Sequence, residues 1–423
     1  MKMIFRKSSL LAVLLLGVFI FVGCSGGAKP QPPKKRDAIN LIARGSEVKV
    51  IRADDWAAQH PDVFASYMKN HENDQHYQYP QAYPYLQQLY KGMAFSFDYN
   101  SARGHVFAVE DVYTSTRPRN SVGCFSCKSP EVHAQVAEHG LDFLANTTFD
   151  QYRPQVTEPK VSCFNCHANE PGKMTVVASF IPDFLSAADI AAADPIDLTC
   201  AQCHIEYHWD AATRRQITPS WNSIESMHPD KMLEYFNGLK MPDGTLYFDF
   251  INPDNQIRQI KIQHPEFETL YSTGSVHGGP KATQKQFNCA DCHMGTDRNA
   301  AGKPFTNHFW RSPLNVQNPS CVECHKDLAA DVKRIQGPIQ DKTKAIGNDL
   351  AALMAEINTK IQSGRYDEAK MNEVRLLFRN AQFYWDYVFV ENSNGAHNSR
   401  LSHYCLDKAR DIYNQARAVF STI

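Results

Sequence analysis

Five cysteine pairs with identical spacing are the residues of this sequence best suited to chemistry. Each pair reads C-x-x-C, and the ten cysteines are Cys124, Cys127, Cys163, Cys166, Cys200, Cys203, Cys289, Cys292, Cys321 and Cys324. Histidine follows four pairs, as His167, His204, His293 and His325, whereas Lys128 follows the first. C-x-x-C-H is the attachment signal of c-type haem. Two sulfurs three positions apart lie on one face of a helical turn and reach two vinyl groups of one porphyrin, and the next residue points at the iron. The sequence therefore predicts five covalently bound haem c groups.

Zinc is the alternative occupant of such motifs, because two C-x-x-C pairs can form a four-cysteine site. Five pairs are an odd number, and four of them carry histidine in one fixed place, which zinc does not require. A redox-active C-x-x-C would not explain the repetition. The motifs therefore favour haem.

Lys128 stands where the other motifs carry the proximal histidine, so by position it is the proximal ligand of the first haem. An ammonium group cannot donate to a metal, and the amine must lose its proton from a reference pKa of about 10.4. Coordination to iron supplies that driving force. One unusual haem among five indicates an unusual task, the binding of substrate. The alternative is a degenerate motif with a weakly ligated haem or none.

Four haems that transfer electrons need a second axial ligand each, usually histidine, which leaves one axial position open. The chain has 17 histidines, so composition alone does not identify these distal ligands.

One C-x-x-C-K motif followed by four C-x-x-C-H motifs resembles the pentahaem, ammonia-forming cytochrome c nitrite reductases, over nearly the whole folded chain. The stretches ARGHVFAVEDV, TGSVHGG, FTNHFW and NSNGAHN are similar to the family's patterns around its distal histidines. The resemblance implies that His105 ligates haem 3, His277 haem 5, His308 haem 2 and His397 haem 4.

The resemblance also implies a second set of site residues. In the family, the residues that match Arg117, Tyr207 and His264 line the open face of the lysine-ligated haem, and Arg119 competes with Arg117 for its place. The residues that match Glu206, Tyr207, Lys261 and Gln263 hold calcium. Calcium takes about six to eight oxygen ligands, which here would be two side-chain oxygens, the carbonyls of Tyr207 and Lys261, and water. An ordinary surface turn is the alternative.

The function that the resemblance implies is the six-electron reduction of nitrite to ammonium at the lysine-ligated haem, fed by four bis-histidine haems. Calcium, Arg117 and His264 would form a positive pocket for a small anion. Arg117 and His264 would donate protons or hydrogen bonds, and Tyr207 would hold intermediates. Two alternatives stay open: a reductase acting mainly on hydroxylamine or sulfite, and a non-catalytic multihaem electron-transfer protein in which a fifth distal ligand closes haem 1.

The elements that must position these groups are predicted to be mainly α-helical, in a multihaem cytochrome c fold with a haem-filled core, long C-terminal helices and little β-structure. Residues 37–325 form the expected pentahaem catalytic region, with short helices and loops, and MPDGTLYFDFINPDN predicts a short hairpin. Residues 326–423 form the expected C-terminal helical region, which carries one distal ligand. Apolar residues recur there at steps of three and four from Asp327 to Ile361, and two further helices are expected over 366–391 and 400–420. The resemblance implies a homodimer through these helices, and Cys405 is expected to be a buried free thiol.

The N-terminus predicts export. Basic residues precede an apolar run within residues 1–23, as in a signal peptide. Gly23-Cys24 resembles a bacterial lipoprotein cleavage site, so Cys24 would be lipidated and residues 24–36 would form a tether; an ordinary signal peptide with an incidental cysteine is the alternative. The mature chain is expected on the periplasmic side of a membrane, and the family resemblance implies a membrane multihaem quinol-oxidising cytochrome as electron donor. A formal net charge of -1 argues against nucleic acid as a partner.

Overall fold

The computed structural model describes residues 39–423, except residues 43, 44, 46, 118–120, 179 and 317. The predicted signal peptide, the tether, Cys24 and Arg119 therefore lie outside the described residues. The described residues belong to one compact unit. Within them, no helix combines the length and the apolar character needed to cross a bilayer.

The segment before the first C-x-x-C motif consists of short helices, as the sequence predicts. Its α-helices are α1 (Pro61–Met68), α2 (Tyr79–Ala82), α3 (Tyr85–Leu89) and α4 (Ala108–Thr114). Four single turns of 3-10 helix accompany them, at Ala53–Trp56, Lys69–Glu72, Ala94–Ser96 and His105–Phe107.

The segment that carries the five motifs has short elements. Its helices are α5 (Pro130–His139), α6 (Asp142–Asn146), α7 (Phe149–Tyr152), α8 (Cys163–His167), α9 (Ile181–Phe184), α10 (Ala187–Ala192), α11 (Pro195–Ala201), α12 (Pro229–Gly238), α13 (Glu266–Tyr271), α14 (Cys289–His293), α15 (Pro313–Val316) and α16 (Pro319–Val322). Turns of 3-10 helix lie at Val122–Phe125, Arg153–Gln155 and Ile224–Met227. None of these helices exceeds 10 residues, as expected where haems in place of side chains fill the centre.

The strands form four two-stranded ribbons, one of them parallel and three antiparallel. The parallel ribbon pairs β1 (Asn40–Leu41) with β2 (Thr175–Val176), and the antiparallel ones pair β3 (Tyr207–Trp209) with β4 (Ile217–Pro219), β5 (Phe250–Ile251) with β6 (Arg258–Gln259), and β7 (Thr296–Arg298) with β8 (Pro304–Thr306). The hairpin predicted within MPDGTLYFDFINPDN is only partly right. Its end forms β5, but the partner β6 lies beyond it, and residues Lys240 and Leu246 form an isolated bridge.

Three long helices form the C-terminal region, and all three match the predicted positions. They are α17 (Leu328–Gln362), capped by the Asp327 side chain, α18 (Glu368–Val390) and α19 (Ser399–Phe420). The recurring apolar residues of α17, including Ile346, Leu350 and Leu353, are fully buried in the main core, because they lie on one face at helical spacing.

Trp385 of α18 joins the C-terminal helices to the N-terminal segment. It is fully buried, donates from Nε1 to the carbonyl of Thr343 on α17 at 2.8 Å, and contacts the Tyr85 ring of α3 edge-on. Cys405 of α19 is a free thiol with no exposed surface, as predicted. The same core cluster contains residues of the C-terminal helices, of α3 and of the motif-bearing segment, so these parts of the chain share one core.

Candidate active site

Each C-x-x-C motif overlaps a helical turn. At three motifs, a side-chain oxygen just before the first cysteine, that of Ser121, Asn288 or Asn318, accepts a backbone N–H group that the helix start leaves unpaired. At the second motif, the backbone N–H of Ser162 donates to the Asn165 side chain at 2.9 Å, and Asp194 caps the start of α11, the helix that carries Cys200 near its end. The turn places both cysteines and the following residue on one side, the geometry that haem attachment requires.

The motif cysteines do not pair into metal sites of the zinc type. Among the described residues, no group of three or more His, Cys, Asp or Glu side chains is arranged to hold a metal ion. Both cysteines of the first four motifs are free thiols, as is Cys321 of the fifth motif. These four pairs are therefore available for haem attachment.

Four of the motif histidines face a second histidine ring across a constant gap. The ring centres are 6.2 Å apart for His167 and His308, 6.2 Å for His204 and His105, 6.1 Å for His293 and His397, and 6.2 Å for His325 and His277. The structure thus brings together every motif histidine with the distal histidine that the family resemblance implies for it.

The separation within these pairs matches a metal held between two imidazoles. A bond from an imidazole nitrogen to a metal is about 2 Å long, so two such bonds place the ring centres about 6 Å apart. A direct hydrogen bond between the two rings would place their centres closer together than this. The four pairs therefore fit four iron centres with two axial histidines each.

Hydrogen bonds at Nδ1 orient most of these rings. Nδ1 donates to a backbone carbonyl of Lys173 from His167, Arg311 from His293, Lys285 from His277 and Thr306 from His308, at 2.8–2.9 Å. It donates to a carboxylate in two cases, from His325 to Asp331 at 2.8 Å and from His397 to Glu391 at 2.6 Å. A ring that donates from Nδ1 presents Nε2 as an electron pair, which is the tautomer a metal ligand needs.

His204 and His105 form the pair without such a bond in this structure. Nδ1 of His204 is 3.8 Å from a carboxylate oxygen of Glu266. Burial lowers the pKa of His204, but the Glu266 carboxylate and the thiols of Cys200 and Cys127 together raise it to about 9. The pKa of its partner His105 is lowered to about 4, by burial and then by His204. This pair lies next to a third histidine, because the ring of His264 is 6.3 Å from that of His204.

Several of these rings lie deep in the protein and yet keep accessible surface. The side chain of His204 is 43% exposed and that of His264 is 46% exposed, although protein surrounds both. Side chains that line an internal cleft have this combination, whereas core side chains have no accessible surface. A haem is a flat group of the kind that such clefts accept.

Lys128 occupies the remaining motif position. Its backbone N–H donates to the carbonyl of Phe125 at 2.9 Å, which continues the helical turn of the first motif. Its half-buried side chain has no hydrogen-bond or ion-pair partner within the described part of the chain. A half-buried amine without an anionic partner is available to bind a metal once it has lost its proton.

Arg117, Tyr207 and His264 come from three separate segments and converge near the first motif. The pKa of Tyr207 is raised by burial and then by the thiols of Cys127 and Cys124, and the Arg117 charge lowers it in part. The pKa of His264 is lowered to about 4 by burial, with Lys128 among the neighbours that contribute. A neutral His264 ring donates a hydrogen bond but carries no charge. Of the two side chains expected to make the pocket positive, Arg117 therefore supplies the charge.

Glu206 is the residue of the proposed calcium site that most needs a cation. It has no exposed surface; Oε2 accepts the backbone N–H of Gln263 at 2.6 Å, while Oε1 is buried without a hydrogen-bond partner. Burial and the nearby carboxylates of Glu268 and Asp249 raise its pKa. A calcium ion would occupy the place of the missing partner and compensate the charge. The donors fit calcium, an ion that accepts carbonyl and carboxylate oxygens.

The side chain of Lys261 points away from this site, as the sequence argument requires of a residue that contributes its carbonyl. Its ammonium group bonds to Asp386 Oδ2 at 3.1 Å and to the carbonyl of Ile262 at 2.5 Å, with both side chains buried. The rings of Tyr90, Phe95 and Tyr99 surround it at 5.1–5.7 Å. Asp386 lies on α18, so the long helix holds the segment that leads to His264.

Several residues near the site carry no signal in the sequence. Glu391 and Asp331 each lie six residues from the histidine that they bond, and Asp98 lies 17 residues before the Ser115 hydroxyl that donates to it. Glu268 accepts the backbone N–H of Glu206 at 2.8 Å. None forms a recurring motif, although a carboxylate within one or two turns of a ligand histidine is a signal that could be searched for.

A protein family, a protein sequence and a solved structure resemble this chain. The family model described as cytochrome c552 matches residues 52–423. The cytochrome c nitrite reductase subunit NrfA of Nitratidesulfovibrio vulgaris is 27% identical over 403 residues, which cover 82% of this chain and 74% of that protein. The structure of cytochrome c nitrite reductase from Desulfovibrio desulfuricans, whose catalytic subunit has two calcium sites, superposes with a TM-score of 0.74 at 25% identity and covers 87% of this chain and 85% of that one.

Proposed function

Since the chain belongs to the cytochrome c552 family, we propose that it reduces nitrite to ammonium as a pentahaem cytochrome c nitrite reductase. One observation carries the proposal. Four motif histidines face a second histidine at 6.1–6.2 Å, while the fifth motif presents the amine of Lys128. A reductase needs haems whose two axial positions are both filled, to carry electrons, and one haem with a free axial position, where substrate binds.

The four histidine pairs support the following ligand sets. His167 with His308 holds haem 2, His204 with His105 haem 3, His293 with His397 haem 4, and His325 with His277 haem 5. The ten motif cysteines attach the five haems. Lys128 is the proximal ligand of haem 1.

The haem irons supply the atom that binds nitrite and the route for six electrons. The chain's own residues supply charge and protons at the open face of haem 1. The guanidinium of Arg117 attracts the anion and stabilises negative charge on its oxygens. His264, a neutral ring at neutral pH, donates a hydrogen bond or proton to a departing oxygen, and the Tyr207 hydroxyl holds the bound nitrogen species.

Calcium is held by Glu206 and Gln263 side-chain oxygens and by the carbonyls of Tyr207 and Lys261. The buried, unpartnered Oε1 of Glu206 supports this assignment. Because Tyr207 and the segment from Lys261 to His264 carry both calcium ligands and site residues, the ion fixes the position of Tyr207 and His264 relative to each other.

We also propose a location and partners for the mature chain. The mature chain is exported to the periplasmic side of a bacterial membrane and anchored there by lipid on Cys24. A membrane quinol-oxidising multihaem cytochrome donates electrons, and the C-terminal helices join two copies. Labelling with a palmitate analogue, lost in Cys24→Ala, tests the anchor.

The experiment that tests the activity is steady-state turnover with a reduced viologen dye. Ammonium produced in equal amount to nitrite consumed, with six dye molecules oxidised for each, is the expected result. A preparation with five haems per chain that does not consume nitrite would overturn the proposal.

A further inference from the structure

Asp98 lies beneath the loop that carries Arg117. It follows the 3-10 turn Ala94–Ser96 and is only 6% exposed. One carboxylate oxygen, Oδ2, accepts three hydrogen bonds: from Ser115 Oγ at 2.8 Å, from the backbone N–H of Thr116 at 2.5 Å and from Thr116 Oγ1 at 3.0 Å. The carboxylate therefore fixes the two residues that immediately precede Arg117.

The hydroxyl of Ser115 connects Asp98 to Arg117. A serine hydroxyl has one donor and two acceptor lone pairs. Because its donor is directed at Asp98, its lone pairs face the opposite way, where they accept the backbone N–H and the Nε–H of Arg117, both at 3.2 Å. Both contacts of Ser115 to Arg117 thus depend on the direction that Asp98 imposes.

Phe95 supports the same guanidinium from another side. The Arg117 Cζ atom lies over the Phe95 ring at 4.7 Å, a cation–π contact. Phe95 belongs to the turn that leads to Asp98, so one short segment supplies both the ring and the carboxylate. Nη1 and Nη2 of Arg117 have no acceptor among the described residues, which leaves the two terminal nitrogens available to an anion.

We propose that Asp98 is a positioning residue that aims the Arg117 guanidinium at nitrite through the hydroxyl of Ser115. The proposal rests on the proposed function, because it assigns Arg117 to the nitrite site. Asp98 itself does not touch substrate. Its carboxylate would repel an anion, and it is shielded by the three donors that it accepts.

Replacement of Asp98 changes the orientation of the Arg117 guanidinium but not its charge. Hydrogen bonds to a carboxylate are stronger than bonds to a neutral amide. Asp98→Asn keeps the size but weakens all three bonds and turns an N–H₂ group toward another donor, since Asn100 Nδ2 already donates to Asp98 Oδ1 at 3.3 Å. If the weaker hydrogen bonds cost about 1 kcal/mol of the free energy that keeps Arg117 in its binding orientation, nitrite binds roughly fivefold more weakly.

The test uses the full-length holoprotein and measures nitrite binding as well as turnover. Nitrite is titrated into the oxidised protein and its dissociation constant is read from the change in haem absorbance; KM and kcat are measured separately. Asp98→Asn and Ser115→Ala should raise both the dissociation constant and KM about fivefold, with kcat within twofold and haem content unchanged. Ser115→Thr keeps the hydroxyl and should restore wild-type values.

Asp243→Asn is the matched control. The Asp243 carboxylate also accepts the N–H and the hydroxyl of a nearby threonine, Thr245, at 2.9 and 2.7 Å, in an exposed turn with no arginine bonded to it. It should leave nitrite affinity unchanged. If Asp98→Asn does not accumulate with haem, Phe95→Leu removes the second support of Arg117 and should raise the same two constants.

The double variant separates positioning from general damage. In an Arg117→Ala background, Asp98→Asn should have no further effect on nitrite affinity, because the guanidinium that Asp98 orients is absent. Independent effects of the two changes, or unaltered affinity in both Asp98→Asn and Ser115→Ala, would overturn the proposal. Absence of nitrite reduction by the wild-type protein would instead refute the proposed function.

Discussion

At the scale of single residues, the four histidine pairs proposed as haem ligands differ in what accepts their hydrogen bonds. Both rings of the His167–His308 pair donate to neutral backbone carbonyls. In two other pairs, one ring donates to a carboxylate, His325 to Asp331 and His397 to Glu391. An anionic acceptor makes an imidazole a stronger electron donor to its metal, which stabilises the oxidised iron.

Glu391→Gln and Asp331→Asn should therefore each shift one haem to a more positive reduction potential. The change for Glu391→Gln should be larger, because Glu391 is buried whereas Asp331 also pairs with the exposed Arg334. Redox titration followed by haem absorbance measures the shift. Asp407→Asn, which breaks an exposed ion pair with Lys342, serves as the control. Unchanged potentials in both variants would show that these carboxylates do not influence the irons.

Tyr207 and His264 should affect chemistry without affecting haem attachment. Tyr207→Phe removes one hydrogen bond and should lower kcat/KM about tenfold, and His264→Ala removes a proton donor and should lower it about a hundredfold. Turnover with reduced viologen at measured haem content checks both. His403→Ala, an exposed histidine on α19, should match the wild type. Wild-type rates in Tyr207→Phe and His264→Ala would remove these residues from the mechanism.

The sequence carries the proximal ligands because attachment chemistry demands a fixed spacing. The distal histidines required family resemblance, since any of the remaining rings could have served by composition. The contacts of Asp98 could not be predicted, because they depend on how the chain folds back over 17 residues. Glu391 and Asp331 each lie six residues from a histidine, a spacing that was recognisable only after that histidine had been identified as a ligand.

At the scale of elements, α18 holds the segment that carries His264 and two of the proposed calcium ligands. Asp386 of α18 accepts the Lys261 ammonium at 3.1 Å and the backbone N–H of Ile262 at 3.0 Å through Oδ2, and Oδ1 accepts the hydroxyl of Tyr90. The Lys261 and Asp386 side chains are 1% and 0% exposed. The pair thus fixes the segment to a helix that is itself fully packed.

Asp386→Asn should destabilise the protein and weaken calcium binding together. Removal of one partner of a buried ion pair leaves an uncompensated charge, which costs about 3–5 kcal/mol. Thermal unfolding and the calcium content of each variant are the measurements. Lys261→Met combined with Asp386→Leu should recover part of the stability and retain calcium, because the Lys261 ligand is its backbone carbonyl. Calcium loss in that double variant would show that the ammonium group itself matters.

The long helices were predictable and the short strands were not. Apolar residues at steps of three and four over α17 leave little choice of structure, and its buried face follows that pattern. Strands of two residues, such as β5 and β6, are too short to show alternation, so the hairpin was expected in a place where only half of it forms.

At the scale of the whole molecule, the fold arranges short capped turns around positions for haems and covers them with three long helices. The expected fold class is confirmed: helices dominate, strands are two or three residues long, and the chain superposes on a cytochrome c nitrite reductase with a TM-score of 0.74. Motif spacing alone could not give this arrangement. It depends on which histidines meet across each gap, a property of the folded chain.

We propose that an amine holds one of the five irons and that the other face of this haem is free for nitrite. Electron paramagnetic resonance of the oxidised protein, with and without added nitrite, distinguishes an open haem from a closed one. We expect one high-spin haem per chain beside four low-spin haems, a high-spin signal that nitrite abolishes, and altered signals in Lys128→His. Five low-spin haems that do not respond to nitrite would show that no open haem exists and that the protein only transfers electrons.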